Sequence, residues 1–315
     1  MKKFFSSGRF GLGVSAIFAA LSLTMSSCST VNIFRHSPLK MASYLEEKGD
    51  TEGAVRVLRG AAVSPRGSKK EKTEVMLALS AIYEKKNDVV SAINVLKETE
   101  ELNKSDLLIG MKLGELYLKT GLLDEAEREF VRLEATEVKT ASLYRGLGEI
   151  YYRKHYFYKA SGYFSEYLRI YPDDRDALYK FYEMQESLGN YSRARSALAS
   201  ASSALPEKEF SVALAVNWMR DNNPDEAIEE LAQMTEKYPE LSFFMGLAYY
   251  QKGQDEKALE YFSKENPQYR DEADFFKAMI LWGSGEKEEA AEIFKNLSEK
   301  EKFADYCSVF LPPQK

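Results

Sequence analysis

Three regularities predict an all-α fold built from helix pairs stacked one on the next. An alanine recurs at Ala54, Ala92, Ala126, Ala160, Ala194, Ala227, Ala258 and Ala290, in steps of 38, 34, 34, 34, 33, 31 and 32 residues. Four residues after each alanine stands a large apolar side chain: Leu58, Leu96, Phe130, Phe164, Leu198, Leu231, Phe262 and Phe294. Five residues before it stands a turn residue, glycine at 49, 121, 189, 253 and 285, with Asn87, His155 and Asn222 in the others. Glycine there permits the positive φ that helix C-termini often need. A period of this length marks an array of units, none of which can bury its apolar faces alone.

The first residues read as a targeting segment to be set aside before the fold is considered. Lys2, Lys3 and Arg9 form a basic start, and Phe10 to Met25 is an apolar run of 16 residues. That is short of the ~20 a membrane-spanning helix needs. Ser26 and Ser27 precede Cys28. The segment resembles a bacterial lipoprotein signal, with Met25 where leucine is usual. The resemblance implies a signal peptide over 1–28 and a lipid on Cys28, the first residue of the mature chain. An ordinary secretory signal beside a coincidental cysteine is the alternative. Residues 29–37 have no period and read as a tether, with His36 solvated beside Arg35.

Within the array the stretch from Leu143 to Pro172 is the clearest unit. Numbered with Tyr144 at position 4, it has Leu147 and Gly148 at 7 and 8, Tyr151 at 11, Ala160 at 20, Phe164 at 24, Tyr167 at 27 and Pro172 at 32. It resembles the tetratricopeptide repeat (TPR), whose pattern is W-x2-L-G-x2-Y…A-x3-F…P, with Tyr in place of Trp. Gly148 and Ala160 are small where the two helices are expected to cross. The third repeat (Leu113, Gly114, Tyr117) and the seventh (Gly246, Tyr249) are also strong, whereas the first, from Pro38, is divergent. The resemblance implies a TPR solenoid, a right-handed superhelix of about eight repeats over 38–300. Residues 301–315 supply a capping helix and tail, with Phe303, Tyr306 and Phe310 on one face and Pro312 and Pro313 stopping it. One continuous domain is expected from about 38 to 311, with a solvated, hinge-like loop from Pro65 to Lys70.

Charge and composition narrow the function. The chain has 43 basic and 49 acidic residues; without residues 1–28 it keeps 40 basic residues, a net charge of −9. Nucleic-acid binding requires a basic footprint, so none is expected. With Cys28 lipidated, Cys307 has no partner and reads as a small buried hydrophobe. The only histidines are His36 and His155, and no P-loop, dinucleotide fingerprint or metal spacing appears. Neither an enzyme nor a cofactor is expected.

The resemblance places the first helix of each unit on the concave side, with positions 2, 5, 9, 12 and 13 facing inward. Position 9 is Glu115, Glu149 and Glu183 in three consecutive repeats. Position 12 is Tyr152, Met219, Tyr250 and Trp282 in the fourth, sixth, seventh and eighth, and position 5 gives Arg145, Tyr179, Phe243 and Phe275. A groove acidic in its middle and aromatic towards the C-terminus is expected, and exposed aromatic clusters mark binding surfaces. The carboxylate clamp of some family members, built from Lys, Asn and Arg, is absent. The expectation is an exported, lipid-anchored scaffold in a bacterial cell envelope, facing the periplasm. It would hold an envelope protein or peptide segment, basic or amphipathic, in its groove. Ser29 after Cys28 suits outer-membrane sorting. A ligand-binding accessory subunit of an envelope transporter, with an aromatic pocket in the C-terminal repeats, is the rival reading, and a homo-oligomer is a further option.

Overall fold

The computed structural model describes residues 37–311, apart from 66, 103–105, 137–138, 236 and 265. The expected signal peptide, Cys28, the tether through His36, and Pro312 and Pro313 lie outside the described residues. Among the described residues no helix is long and apolar enough to cross a membrane. The chain divides into two compact units, one ending at Lys139 and one starting at Thr140.

The first unit holds three helix pairs: α1 (Pro38–Glu47) with α2 (Thr51–Ala62), α3 (Lys69–Lys85) with α4 (Val89–Leu102), and α5 (Leu107–Lys119) with α6 (Leu123–Glu134). The second holds five: α7 (Ala141–Arg153) with α8 (Phe157–Ile170), α9 (Arg175–Ser187) with α10 (Tyr191–Ser200), α11 (Glu207–Arg220) with α12 (Pro224–Thr235), α13 (Ser242–Gln251) with α14 (Asp255–Phe262), and α15 (Arg270–Ser284) with α16 (Lys287–Ser298). A short α17 (Ala304–Ser308) follows.

All eight turns inside the pairs are built alike. Gly49, Asn87, Gly121, His155, Gly189, Asn222, Gly253 and Gly285 have φ between 58° and 98°. The next residue's N–H reaches back five residues in each, as from Tyr156 to the Tyr151 carbonyl (2.8 Å) and from Gln254 to the Tyr249 carbonyl (2.9 Å). This left-handed cap closes the orphan carbonyls of the first helix. A Cβ at Gly253 would meet nothing within 4 Å, so only its φ of +73° demands glycine. Gly253→Val is therefore expected to destabilise the second unit by about 1–2 kcal/mol, read as a lower urea midpoint. An unchanged midpoint would show that the turn relaxes to another conformation.

The core repeats with the sequence. The eight alanines of position 20 are all 0 % exposed, and the apolar residues of position 24 are all at most 2 % exposed. In six of the eight repeats position 8 of the first helix goes with their size; Ala278 with Phe294 and Tyr182 with Leu198 do not follow. Where it is Gly114, Gly148 or Gly246, a Cβ would lie 2.6–2.9 Å from the ring of Phe130, Phe164 or Phe262. Where it is Ala42, Ser80 or Ala215, position 24 is the smaller Leu58, Leu96 or Leu231. The close approach expected at Gly148 is thus made by the Phe164 ring.

Two local expectations need correction. The stretch expected as a loop through Lys70 already turns helical at Lys69, because Ser68 and Glu71 form a capping box. Glu71 accepts from the Ser68 N–H at 2.7 Å and the Ser68 hydroxyl accepts from the Glu71 N–H at 3.2 Å. At the C-terminus, Phe303 is buried and the Phe310 ring stacks on Phe294 at 4.4 Å, but Tyr306 is exposed. The inward row is Phe303, Cys307 and Phe310, spaced i, i+4, i+7 as one helix face requires. Cys307 is fully buried, and burial pushes its thiol up, away from reactivity.

Candidate partner-binding face

Successive first helices touch through side chains spaced about one repeat apart. In the first unit Lys85 pairs with Glu46 and Lys112 with Glu84, both at 2.9 Å. In the second unit Lys180 pairs with Glu149 and Arg220 with Glu186, both at 2.8 Å. The Gln251 side-chain amide donates to the Met219 carbonyl at 2.8 Å. Positions 6, 9, 12 and 13 of neighbouring repeats therefore lie side by side, which defines a continuous first-helix face within each unit.

The expected acidic ladder is mostly neutralised on this face. Glu115, in the first unit, is 51 % exposed and lies 3.6 Å from Lys112. Glu149 is held by Arg153 at 2.7 Å and by Lys180 at 2.8 Å. Glu183 accepts a hydrogen bond from the Tyr152 hydroxyl at 2.5 Å. Arg145 bridges Asp174 (3.1 Å) and Asp176 (3.3 Å), and Lys180 also reaches Asp176 at 3.0 Å. The middle of the face is thus a lattice of alternating charge, and Lys180 at position 6 is the residue that position-by-position reading missed.

Protonation follows from these contacts. Burial pushes the Glu149 carboxyl up, but hydrogen bonds from Lys180 and Arg153 outweigh it and hold it below the ordinary 4.5. Burial pushes the Lys180 ammonium down, and Glu149 and Asp176 more than restore it above the ordinary 10.5. Burial, then the bond to Glu183, raises the Tyr152 phenol; burial and the Glu183 charge raise Tyr179. The lowered Glu149 value means that its stabilisation is present above about pH 4.5 and is lost as pH falls through the folded value. The raised Lys180 value means that its share is present below about pH 10.5 and is lost as pH rises through the folded value. Lys180→Met is expected to lower stability by about 1–2 kcal/mol at neutral pH, and to flatten the acid limb of urea unfolding as Glu149 drifts back towards 4.5. An acid limb identical to that of the parent chain would contradict this pairing.

The aromatic residues expected to share one groove divide into separate clusters. Phe243 is only 7 % exposed and stacks on Tyr269 at 4.8 Å, so it belongs to the core between repeats. Tyr250 meets Phe276 edge-on at 5.5 Å. Phe275 touches Phe294, Phe303 and Tyr306 at 5.7–6.3 Å, and Trp282 packs on Phe294 and Phe310. Tyr179 lies beside Tyr182 in the fifth repeat. Several of these rings fill the seams between successive repeats, as Phe243 and Tyr250 do against Phe276. A recess of about 550 Å³ is bounded by Pro38, Ala61, Ser64, Glu71, Lys72 and Val75 in the first unit, away from all of them.

What remains accessible in repeats six to eight is an apolar strip at positions 9 and 12. Val216, Met219, Leu247, Tyr250, Met279 and Trp282 are all half-buried; all but Val216 rest on the apolar clusters of their own and adjoining repeats and keep part of their surface open. The position-9 members Val216, Leu247 and Met279 were not picked out by looking for aromatic residues. The signal was available, since these positions hold Glu in repeats three to five and an aliphatic side chain thereafter.

Between the two regions lies a buried polar cluster. Asn217 is fully buried; it donates to Glu186 and to the Tyr191 carbonyl (3.3 Å) and accepts from Arg195 at 2.6 Å. Arg195 also pairs with Asp221 at 2.7 Å and covers the Trp218 ring at 3.6 Å. Beside it, Tyr182 fills position 8, where a small residue is usual, and burial and the Glu186 charge push its phenol up to about 12. Among the described residues, no three or more His, Cys, Asp or Glu side chains are placed to hold a metal ion.

Comparison with known proteins agrees with this architecture. The tetratricopeptide-repeat model matches residues 111–175, 185–240 and 219–273. The C-terminal part of a TPR repeat-containing protein from Cytophaga hutchinsonii superposes with a TM-score of 0.53 at 15 % identity, covering 74 % of this chain and 98 % of that one. A tetratricopeptide repeat protein from Parabacteroides merdae gives 0.47 at 20 % identity, covering 76 % and 98 %. YrrB, a TPR protein with an unusual peptide-binding site, gives 0.46 at 16 % identity, covering 59 % and 89 %. The Cytophaga likeness carries the fold alone. No curated protein sequence matches the chain significantly.

Proposed function

Because the chain belongs to the tetratricopeptide-repeat family, we propose that it is a scaffold holding a protein partner by an amphipathic segment laid along repeats six to eight. The observation that carries this reading is the half-open apolar strip from Val216 to Trp282. Apolar side chains with one free flank gain by covering it, at about 25 cal/mol per Å². Methionines such as Met219 and Met279 adapt to varied partner shapes. Charged partners gain less from repeats four and five, where Glu149, Lys180, Arg145 and Asp176 already satisfy one another. An amphipathic helix with anchors at i, i+3 or i+4 and i+7 fits such a surface.

The same proposal includes the setting. The chain is exported, carries a lipid on Cys28 and works on the periplasmic face of a bacterial outer membrane. The supports are the basic start, the apolar run from Phe10 to Met25, and Ser26 and Ser27 before Cys28. Cys28→Ala is expected to abolish radiolabelling by fatty acid and to release the chain from the membrane fraction. Labelling that persists would sink this part alone.

Leu247→Glu with Met279→Glu tests the strip. These half-buried positions tolerate a charge pointed to solvent, yet a partner seated there would have to bury both carboxylates. Capture of the partner is expected to fall about tenfold or more, with circular dichroism nearly unchanged. Undiminished capture would place the partner elsewhere.

A further inference from the structure

The turn between α7 and α8 departs from its counterparts. Five of the eight second helices carry acidic residues in the first turn, for example Asp124 and Glu125, Asp255 and Glu256, and Glu288 and Glu289. Acidic groups suit a helix N-terminus, by about 0.3–1 kcal/mol each. Helix α8 forgoes this and opens with Phe157, Tyr158 and Lys159. From Ile150 to Ser165 there is no Asp or Glu, although the whole chain has 49 of them. Tyr158 is 84 % exposed and Tyr156 58 % exposed, so neither gains much from burial in the fold. Phe157 lies between Tyr152 and His155, and Lys159 lies over the Tyr151 ring at 4.9 Å. Packing within the repeat gives Phe157 and Lys159 their places but leaves the exposed Tyr158 ring unexplained.

From these features we infer that the His155–Lys159 turn is a membrane-surface contact that inserts Tyr156 and Tyr158 into the headgroup region of an anionic bilayer. Tyrosine carries an apolar ring and a polar tip and partitions to that interface, and flanking lysines add attraction to anionic headgroups. The shape favours a bilayer over a peptide. The aromatic residues stand at the apex of a turn, and the recess bounded by His155, Tyr156, Phe157, Tyr158 and Lys159 is wide open rather than enclosed, which suits a flat, fluid surface. The net charge of −9 that remains without residues 1–28 opposes the approach only weakly, because charges beyond about 8–10 Å are screened at physiological salt. The contact is independent of the apolar strip and of any lipid on Cys28.

The test places a reporter at the apex itself, so that anchoring elsewhere does not enter the readout. The full-length chain bearing Tyr158→Trp is reconstituted in vesicles of phosphatidylcholine with and without phosphatidylglycerol, each in plain and brominated form. Emission from Trp218 and Trp282 is subtracted using the unsubstituted chain. The expected result is blue-shifted emission quenched by brominated lipid on the phosphatidylglycerol vesicles, weaker in high salt. Adding Lys159→Glu should lower the ratio of inserted to solvated turn roughly thirtyfold, at about fivefold per charge changed. A water-like, unquenched indole on every vesicle overturns the inference. So does an indole that stays wet on vesicles but becomes shielded on adding an acidic peptide such as poly-glutamate, which would assign the turn to a protein.

Discussion

Phe164→Ala is expected to destabilise the second unit by about 3–5 kcal/mol, the range for a fully buried phenylalanine. Its ring lies 1 % exposed against Gly148, within the distance that a Cβ there would need. The same geometry predicts that Gly148→Ala costs about 1–3 kcal/mol by overpacking. The informative variant is the double change Gly148→Ala with Phe164→Leu, which recreates the Ala42–Leu58 and Ala215–Leu231 pairs found in other repeats. It should be less damaging than the sum of its parts, with a coupling of about 1 kcal/mol or more in a double-mutant cycle. Strict additivity would show that the two positions are not in contact. Because each repeat leans only on its neighbours, the loss should appear in urea unfolding as earlier melting of the fourth repeat.

Arg220→Ala should be nearly as damaging, although the arginine lies at the surface. Its partner Glu186 is only 5 % exposed and is otherwise held by the buried Asn217. Removing one member of such a pair leaves a buried charge uncompensated, which typically costs about 3–5 kcal/mol. Arg220→Ala with Glu186→Gln should recover much of the loss, since a neutral amide tolerates burial far better than a carboxylate. Equal stability of the single and double variants in thermal unfolding would contradict this account of the cluster.

The sequence made some features plain because only one kind of residue satisfies them. A left-handed turn accepts Gly, Asn or His with least strain, and all eight turns are so occupied. A helix crossing with no free volume accepts alanine, and the eight alanines are fully covered. Other features depend on the stagger between repeats, which a position number does not contain. Lys180 pairs with Glu149 across 31 residues, so the acidic ladder looked unopposed until the neighbouring helix was in place. Position 5 marks a helix face but not how far the next ring covers it, and Phe243 lies under Tyr269. The Glu186–Asn217–Arg195 cluster joins residues 22 to 31 positions apart, and no repeat position marks it.

The central claim is that the strip on repeats six to eight holds a protein segment, and site-resolved photo-crosslinking in cells tests it most directly. The crosslinker is placed at Met219 and Met279 on the strip, and at Glu256 in the first turn of α14 as a control. The account predicts one and the same partner from both strip positions, none from 256, and loss of the adduct when Leu247→Glu is added. Equal capture from 256, or capture indifferent to Leu247→Glu, would contradict it.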